Sequence, residues 1–203
     1  MSRRSITGVV LAGGRATRWD GRDKGLIEVC GRPMISHVLD ALRPQVDHVL
    51  INANRNLDDY RAFGEPVVSD ANDEFLGPLA GIASGLTAAR TEWVVIVPCD
   101  SPLLTPECVA RLGAAHDENG MIDIAVAHDG KRIQPVFALI RRGVVDDLKA
   151  FLESGGRKID QWYEQQRMQL VDFSDIPDNF ENINRPEDRD RLEGRIRNRT
   201  LRQ

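Results

Sequence analysis

The sequence predicts an α/β protein with a Rossmann-like three-layer sandwich, in which helices cover both faces of a mainly parallel sheet with an antiparallel edge hairpin. Short apolar segments alternate with longer segments whose apolar residues recur at helical spacing, which is typical of strand–helix units. The strand segments are apolar throughout, as in parallel strands buried on both faces. From Ile122 the alternation changes, because the short turn Asp129-Gly130 joins two strand-like segments and predicts a hairpin.

Prolines and glycines set the element boundaries in the first half of the chain. Pro33, Pro78 and Pro106 each stand where a helix should begin, since proline is favoured in the first helical turn. Pro44 should end the first of these helices, because proline disrupts a helix interior. The predicted strands lie at 6–12, 46–53, 66–69 and 93–97, and the predicted helices at 32–43, 57–63, 77–89 and from 105 onward.

The second half begins with the hairpin and ends with a helix. Gly155-Gly156 should end an amphipathic helix, since glycine is favoured just past a helix C-terminus. The hairpin strands are predicted at 122–128 and 132–140, helices at 144–153 and 158–166, a last strand at 168–173, and a closing helix from Pro186 towards Leu192. We expect residues 1–194 to form one domain and residues 195–203, with four arginines, to form a mobile basic tail.

Composition excludes several classes of protein. The hydrophobic fraction is 41%, the charged fraction is 29% and the net charge is −4, which is ordinary for a globular protein and disfavours nucleic acid as the main partner. No segment reaches the about 20 apolar residues of a membrane span. The three cysteines lack CxxC spacing, so we expect a reduced, cytoplasmic setting without structural zinc.

An anion-binding loop is predicted where the first strand ends. The strand leads into Gly13-Gly14, and Arg15, Arg18, Arg22 and Lys24 follow closely. Glycine allows backbone N–H groups to approach an oxyanion, and the cations could bind several phosphates. The spacing is neither a Walker A motif nor a GxGxxG fingerprint. A plain tight turn is the alternative interpretation.

Two aspartates follow predicted strands and should reach the same sheet edge as the glycine loop. Asp70 follows the third strand and Asp100 the fourth, and ligands of open α/β sheets bind at the carboxyl ends of the strands. A carboxylate beside a phosphate site suggests Mg²⁺, which completes its shell with phosphate oxygens and water. The alternatives are helix capping or turn chemistry at Asp100 and loop capping at Asp70.

Two further features belong to this edge. Gly77 and Gly81 flank the start of a helix whose N-terminus could face a nucleotide, although a well-formed helix start is the alternative. Asn52 could bind a base edge or could simply end its strand.

An ordered set of motifs resembles the molybdenum cofactor guanylyltransferases. Each motif is modest alone, but the set spans residues 6–192 in order. It comprises Leu-Ala-Gly-Gly at 11–14, Arg18, Gly21, Asp23-Lys24-Gly25, Gly31-Arg32-Pro33, Asn52-Ala53-Asn54, Gly77-Pro78-Leu79-Ala80-Gly81, Pro98-Cys99-Asp100-Ser101-Pro102 and Asn182-Ile183-Asn184-Arg185-Pro186-Glu187.

The resemblance implies a single nucleotidyltransferase domain that transfers GMP from GTP to the terminal phosphate of molybdopterin and releases pyrophosphate. It also implies Mg²⁺ as cofactor, a monomer, and transient contacts with molybdopterin-supplying proteins and with molybdoenzyme chaperones or apoenzymes. The implied GTP site comprises Leu11, Ala12, Gly13, Gly14, Lys24, Asn52, Asp70, Gly77, Gly81 and Asp100, with Asp100 also the metal ligand. Asp100, Lys24 and Arg18 are the implied catalytic residues, and Arg18, Gly21, Arg157, Asn182 and Asn184 the implied molybdopterin side.

Three positions depart from the family pattern. Trp19 stands where methionine is common, Asp20 replaces a frequent glycine, and Arg185 replaces a usual threonine. None removes an implied ligand, but Asp20 adds negative charge beside the phosphate loop. The remaining alternatives are a transferase that uses CTP on molybdopterin or acts on a sugar or alditol phosphate, and a non-catalytic nucleotide-binding protein that delivers the cofactor.

Overall fold

Seven strands form one sheet, and two short strands form a separate hairpin. The computed structural model describes residues 5–13, 21–71, 77–115 and 121–200. In chain order the strands are β1 (Ile6–Leu11), β2 (Glu28–Val29), β3 (Arg32–Pro33), β4 (His48–Asn52), β5 (Val67–Val68), β6 (Trp93–Pro98), β7 (Ile124–His128), β8 (Ile133–Arg141) and β9 (Met168–Asp172).

The strand order of the large sheet is β5-β4-β1-β6-β8-β7-β9. β5, β4, β1 and β6 pair in parallel, β8 runs antiparallel to both of its neighbours, and β9 is parallel to β7. The predicted α/β class with a mainly parallel sheet is therefore confirmed. The hairpin β7–β8 lies inside the sheet rather than at its edge, because β9 pairs along the outer side of β7.

Helices connect the strands at close to the predicted positions. Within the described ranges, no helix combines the length and apolar character needed to cross a membrane. The α-helices are α1 (Met34–Leu42), α2 (Leu57–Arg61), α3 (Pro78–Ala88), α4 (Cys108–Ala114), α5 (Val145–Glu153), α6 (Ile159–Tyr163) and α7 (Pro186–Thr200). Short 3-10 turns occupy Lys24–Leu26, Arg43–Gln45, Arg142–Val144 and Pro177–Phe180.

The sheet divides the apolar core into two layers. Neighbouring strand residues point to opposite faces, so Val9 packs with residues of α3, α5 and α6, whereas Val10 packs with residues of α1, α2 and α4. Both valines are fully buried. This double coverage explains why the strands are apolar throughout, and it produces the predicted three layers.

A third apolar cluster lies under the C-terminal helix. Met34, Leu103, Ile183 and Leu192 are buried there together with Ile196. α7 therefore continues past its predicted end near Leu192 and reaches Thr200.

Ion pairs also hold the region predicted to be a mobile tail. Arg195 contacts the carboxylates of Asp178 and Glu181. The first residues of the predicted tail thus belong to a packed helix, because the buried Ile196 and the paired Arg195 lie one helical turn beyond Leu192. Residues 201–203 lie outside the described residues.

The start of α4 also differs from its prediction. The Thr105-Pro106 pair should begin this helix, but α4 begins at Cys108 and its N-cap, Glu107, makes no side-chain capping bond. The Thr105 N–H instead donates to Asn179 Oδ1 at 2.6 Å. Thr105 Oγ1, the atom that would cap the helix by accepting a backbone N–H, has no hydrogen-bond partner among the described residues, so Thr105 does not act as the N-cap.

Candidate active site

A cleft of about 460 Å³ opens at the carboxyl ends of the parallel strands. The last residue of β1, Leu11, is level with Asn52 at the end of β4 and with Pro98 at the end of β6. The strand register therefore brings the three following loops to one edge. Residues lining the cleft are Leu11, Gly13, Asn52, Asp70, Gly77, Pro78, Gly81, Pro98, Asp100, Val136 and Asn182.

Two glycines allow backbone to approach Asn52 closely. A Cβ on Gly81 would overlap Asn52 Oδ1 and would lie 3.0 Å from Leu11 Cδ2. A Cβ on Gly13 would lie 3.3 Å from the same amide oxygen. The absence of a side chain at both positions therefore places Asn52 Oδ1 between the glycine loop and the first turns of α3.

Asp70 is held by two asparagines from the end of β4. Its Oδ1 accepts a 2.8 Å hydrogen bond from Asn52 Nδ2, and its Oδ2 accepts one of 2.8 Å from Asn54 Nδ2. The Asp70 backbone N–H donates to Asn54 Oδ1, also at 2.8 Å. Asn52 and Asp70, which the resemblance assigns to the GTP site, thus form one hydrogen-bonded group with Asn54.

Lys24 lies directly against Asp100, which lines the cleft. The Lys24 ammonium forms an ion pair with Asp100 Oδ2 and donates a 2.7 Å hydrogen bond to Asn184 Oδ1. Their side chains are only 21% and 13% exposed, so the pair is poorly screened by water. The cation predicted to bind phosphate and the carboxylate predicted to bind metal neutralise each other in this arrangement.

Asp100 retains one free oxygen that suits a metal ion. Its Oδ1 is buried and has no hydrogen-bond partner among the described residues, and a buried carboxylate oxygen without a partner is costly. Within the described ranges, no group of three or more His, Cys, Asp or Glu side chains could hold a metal. The free Oδ1 of Asp100 could bind Mg²⁺, an ion that takes one or two carboxylates and completes its shell with phosphate oxygens and water.

A buried carboxylate supports the turn that carries Lys24. Asp23 is 4% exposed and accepts a 2.7 Å hydrogen bond from the Tyr60 hydroxyl. Burial raises the pKa of Asp23, although this hydrogen bond and the charge of Arg55 oppose the rise. A Cβ on Gly25 would lie 2.7 Å from the Tyr60 oxygen, so α2 packs directly against the Lys24 turn.

The segment after the 3-10 turn at Pro177–Phe180 is bound to the end of β6. The Ile183 N–H donates to the Asp100 carbonyl at 2.9 Å, and the Ser101 hydroxyl donates to Asn182 Oδ1 at 2.5 Å. Asn184 begins the approach to α7, where the Asp188 carboxylate accepts its N–H at 3.0 Å. Asn182 is thereby placed against Ser101, next to Asp100 in the chain, and Asn184 against Lys24.

The structure brings most of the predicted site residues together. Ala12 lies behind the cleft, 2% exposed, and its N–H donates to the Asn52 carbonyl at 2.8 Å. Gly21 is exposed with φ of +78° and is not among the residues that line the cleft. Gly14 and Arg18, with Trp19 and Asp20, lie outside the described residues.

Arg157 is a predicted site residue that lines another cavity instead of the cleft. It borders a different cavity of about 830 Å³, between α3 and α5, together with Lys149 and Glu153. Its guanidinium donates to the carbonyls of Leu152 and Gly156 at 2.8 and 2.6 Å. Arg157 and Asn182 therefore line different cavities, both of which border α3.

The structure adds three residues to the site that the sequence patterns do not assign to it. Val136 of β8 lines the cleft, but an apolar strand residue carries no local signal of that role. Asn54 and Tyr60 are not among the lining residues. Asn54 donates a hydrogen bond to Asp70, and Tyr60 donates one to Asp23. Asn54 was visible as part of Asn52-Ala53-Asn54, whereas only the packing of α2 reveals Tyr60.

Comparisons with known proteins show the family of this chain. A family model described as a MobA-like NTP transferase domain matches residues 8–168. The molybdenum cofactor guanylyltransferase of Vibrio atlanticus is 51% identical over 180 residues, covering 89% of this chain and 91% of that protein. The molybdenum cofactor guanylyltransferase of Shewanella sediminis is 47% identical over 188 residues, covering 92% and 95%.

A solved structure shares the fold. Molybdopterin-guanine dinucleotide biosynthesis protein A from Archaeoglobus fulgidus is similar with a TM-score of 0.78 and 22% sequence identity, covering 95% of this chain and 99% of that one. The resemblance drawn from the motifs is thus confirmed by the sequence relatives and, for the fold, by this structure. The chain belongs to the MobA-like NTP transferase family.

Proposed function

We propose that this cleft transfers the GMP moiety of GTP to the terminal phosphate of molybdopterin, releasing pyrophosphate and forming molybdopterin guanine dinucleotide. The observation that carries the proposal is the Lys24–Asp100 ion pair at the carboxyl ends of β1 and β6, with Asn184 bound to the same ammonium. Relatives named molybdenum cofactor guanylyltransferase, matched over most of the chain, supply the identity of the reaction.

Lys24 provides the mobile positive charge of the site. When GTP enters, its phosphates compete with Asp100 for the ammonium, and Lys24 can follow the charge that builds on the departing pyrophosphate. Asp100 would hold Mg²⁺ through its carboxylate, whose Oδ1 has no hydrogen-bond partner among the described residues. Bound there, Mg²⁺ would neutralise phosphate charge and orient the phosphates of GTP.

The acceptor phosphate requires positioning rather than activation. A phosphate monoester is already largely ionised near neutral pH, so attack on the α-phosphorus needs no general base. Bringing two anions together needs charge compensation and alignment, which preorganised donors provide. We assign the molybdopterin side to Asn182, which accepts a hydrogen bond from Ser101, and to Asn184, which accepts one from Lys24. We leave Arg157 out because it lines a different cavity.

The cellular setting is also part of the proposal. The enzyme acts on small-molecule substrates. We propose that it works in the cytoplasm as a monomer and makes transient contacts with the proteins that supply molybdopterin and with those that receive the product.

The choice of nucleotide is tested by competition. Enzyme, Mg²⁺ and molybdopterin are incubated with equimolar GTP, CTP and UTP, and the dinucleotide products are separated by mass. The proposal predicts the guanine dinucleotide as the dominant product. A dominant cytosine dinucleotide, or nucleotide binding without any product, would contradict it and favour one of the alternatives.

A further inference from the structure

Asn54 makes two complementary hydrogen bonds to a single residue. Its Nδ2 donates to Asp70 Oδ2 at 2.8 Å, and its Oδ1 accepts the Asp70 backbone N–H at 2.8 Å. A carboxylate can only accept and a backbone N–H can only donate, so this pairing fixes which way the Asn54 amide points. Asn54 therefore fixes both the main chain and the side chain of Asp70.

The fixed carboxylate in turn orients Asn52. Asp70 Oδ1 accepts from Asn52 Nδ2 at 2.8 Å, so the amide nitrogen of Asn52 must face Asp70. The amide oxygen is then turned towards Gly13 and Gly81, and both glycines line the cleft. If Asp70 were free to rotate, the Asn52 amide could flip and present its donor instead.

The cleft wall thus presents acceptors side by side. Asn52 offers its amide oxygen, and the Asp70 carboxylate has about four lone-pair positions, of which the two asparagine amides occupy two. Such a wall is complementary to a ligand with two adjacent N–H donors. Guanine has this character through N1–H and its 2-amino group, whereas hypoxanthine lacks the amino group.

We propose that Asn54 is a positioning residue for base selectivity: it holds Asp70 and, through Asp70, Asn52, as paired acceptors for the N1–H and 2-amino donors of guanine. The inference rests on the proposed use of GTP by this cleft. Asn54 is not among the residues that line the cleft, and its two hydrogen bonds to Asp70 give it a route to the base through that residue.

The test compares GTP with ITP, whose base lacks only the 2-amino group. Affinities are measured by calorimetry with Mg²⁺ for the wild type and for Asn54→Ala. The wild type should prefer GTP by about 10-fold or more, the range expected for a hydrogen bond to a charged group. Asn54→Ala should bring this ratio towards 1, with most of the loss in GTP affinity. A ratio that stays at the wild-type value would overturn the inference.

Two further variants separate positioning from general damage to the fold. Asn54→Asp keeps the size of the side chain and the acceptor for the Asp70 N–H, but it removes the amide donor. This variant should lose the same selectivity for GTP over ITP. It replaces Asn54→Ala in the test if the alanine variant does not fold. In an Asp70→Ala background, Asn54→Ala should cause no further loss, because residues that act in series are not additive. Additive losses would contradict action through Asp70.

The controls distinguish failure of this inference from failure of the proposed function. Gln161→Ala, an exposed substitution on α6, should leave the GTP-to-ITP ratio unchanged. A wild type that does not prefer GTP to CTP would defeat the proposed function itself. A wild type that prefers GTP, combined with Asn54 variants that keep the full GTP-to-ITP ratio, would defeat only the role assigned to Asn54.

Discussion

In the ligand-free cleft, the opposite charges of Lys24 and Asp100 form an ion pair. Without Lys24, Asp100 would be a nearly buried carboxylate beside a hydrophobic strand end, and an unpaired buried charge is strongly destabilising. The ion pair therefore stabilises the ligand-free cleft. When a metal–nucleotide complex binds, this pair is exchanged for a contact of Lys24 with phosphate and a contact of Asp100 with the metal. Both residues are needed for this exchange.

Replacing Asp100 tests the metal assignment. Asp100→Ala should abolish Mg²⁺-dependent turnover, because it removes the only protein carboxylate proposed to hold the ion. The fold should survive, since Lys24 keeps Asn184 as a partner and can reach water. Pyrophosphate release measures turnover, and thermal unfolding checks the fold. Undiminished turnover in a folded variant would contradict the metal assignment.

Replacing Lys24 tests the phosphate contact. Lys24→Ala should weaken GTP binding by about 10- to 100-fold, the range expected when a charge-assisted hydrogen bond is lost. Calorimetry with Mg²⁺ and GTP measures the affinity. An unchanged affinity would show that the phosphates do not use this ammonium.

The raised pKa of Asp23 predicts that the free energy of unfolding depends on pH. Its folded pKa lies above the unfolded value because of burial, so the folded chain holds this proton to a higher pH than the unfolded chain does. The free energy of unfolding then falls as pH rises from the unfolded pKa through the folded pKa.

Asp23→Asn removes this titration and keeps an acceptor for Tyr60. The variant should therefore melt at a higher temperature than the wild type at pH 7, with the gain shrinking as the pH falls through the raised pKa of Asp23 and vanishing near the usual pKa of an aspartate. Thermal unfolding at a series of pH values checks the sign. A gain that is larger in acid than at neutral pH would contradict the pKa direction.

At the level of elements, local sequence patterns located nearly all the strands and helices of the large sheet and its layers. The structure differs from the prediction where contacts between residues distant in sequence set the end of an element or its place in the sheet. The end of α7 depends on a cluster that includes Met34 and Leu103, which no window of sequence around residue 196 contains. The inner position of the hairpin depends on the pairing of β9 with β7. Pairing partners are set by the whole sheet and not by the strand itself.

Helix α3 packs closely on β1, and its glycines make this testable. A Cβ on Gly85 would lie 2.8 and 2.9 Å from the two methyl groups of Val9, which is fully buried. Gly85→Ala should therefore lower the free energy of unfolding by about 1–3 kcal/mol, as overpacked cores do.

Gly113 in α4 is the matched control, because a Cβ there would meet no atom of the described residues within 4 Å. Gly113→Ala should raise the free energy of unfolding by about 0.5–1 kcal/mol, since alanine restricts the unfolded chain and favours the helix. Denaturant unfolding of both variants gives the comparison. Equal effects at the two positions would contradict the packing described for α3.

For the whole molecule, the topology accounts for what could be predicted about the site. Asp70 and Asp100 could be assigned to the glycine-loop edge, because parallel strands place their carboxyl ends together. The separation of Arg157 from the cleft could not be predicted, because it depends on how α3 and α5 pack. The support of Asp70 by Asn54 and of Asp23 by Tyr60 also arises only in the folded chain.

The most direct test of the central claim is Mg²⁺-dependent pyrophosphate release from GTP, measured with and without molybdopterin. The account predicts release only when GTP, Mg²⁺ and molybdopterin are all present, because the acceptor phosphate is the nucleophile. Release of pyrophosphate from GTP at the same rate without molybdopterin, or no release with all three present, would contradict the claim that this cleft is a guanylyltransferase site.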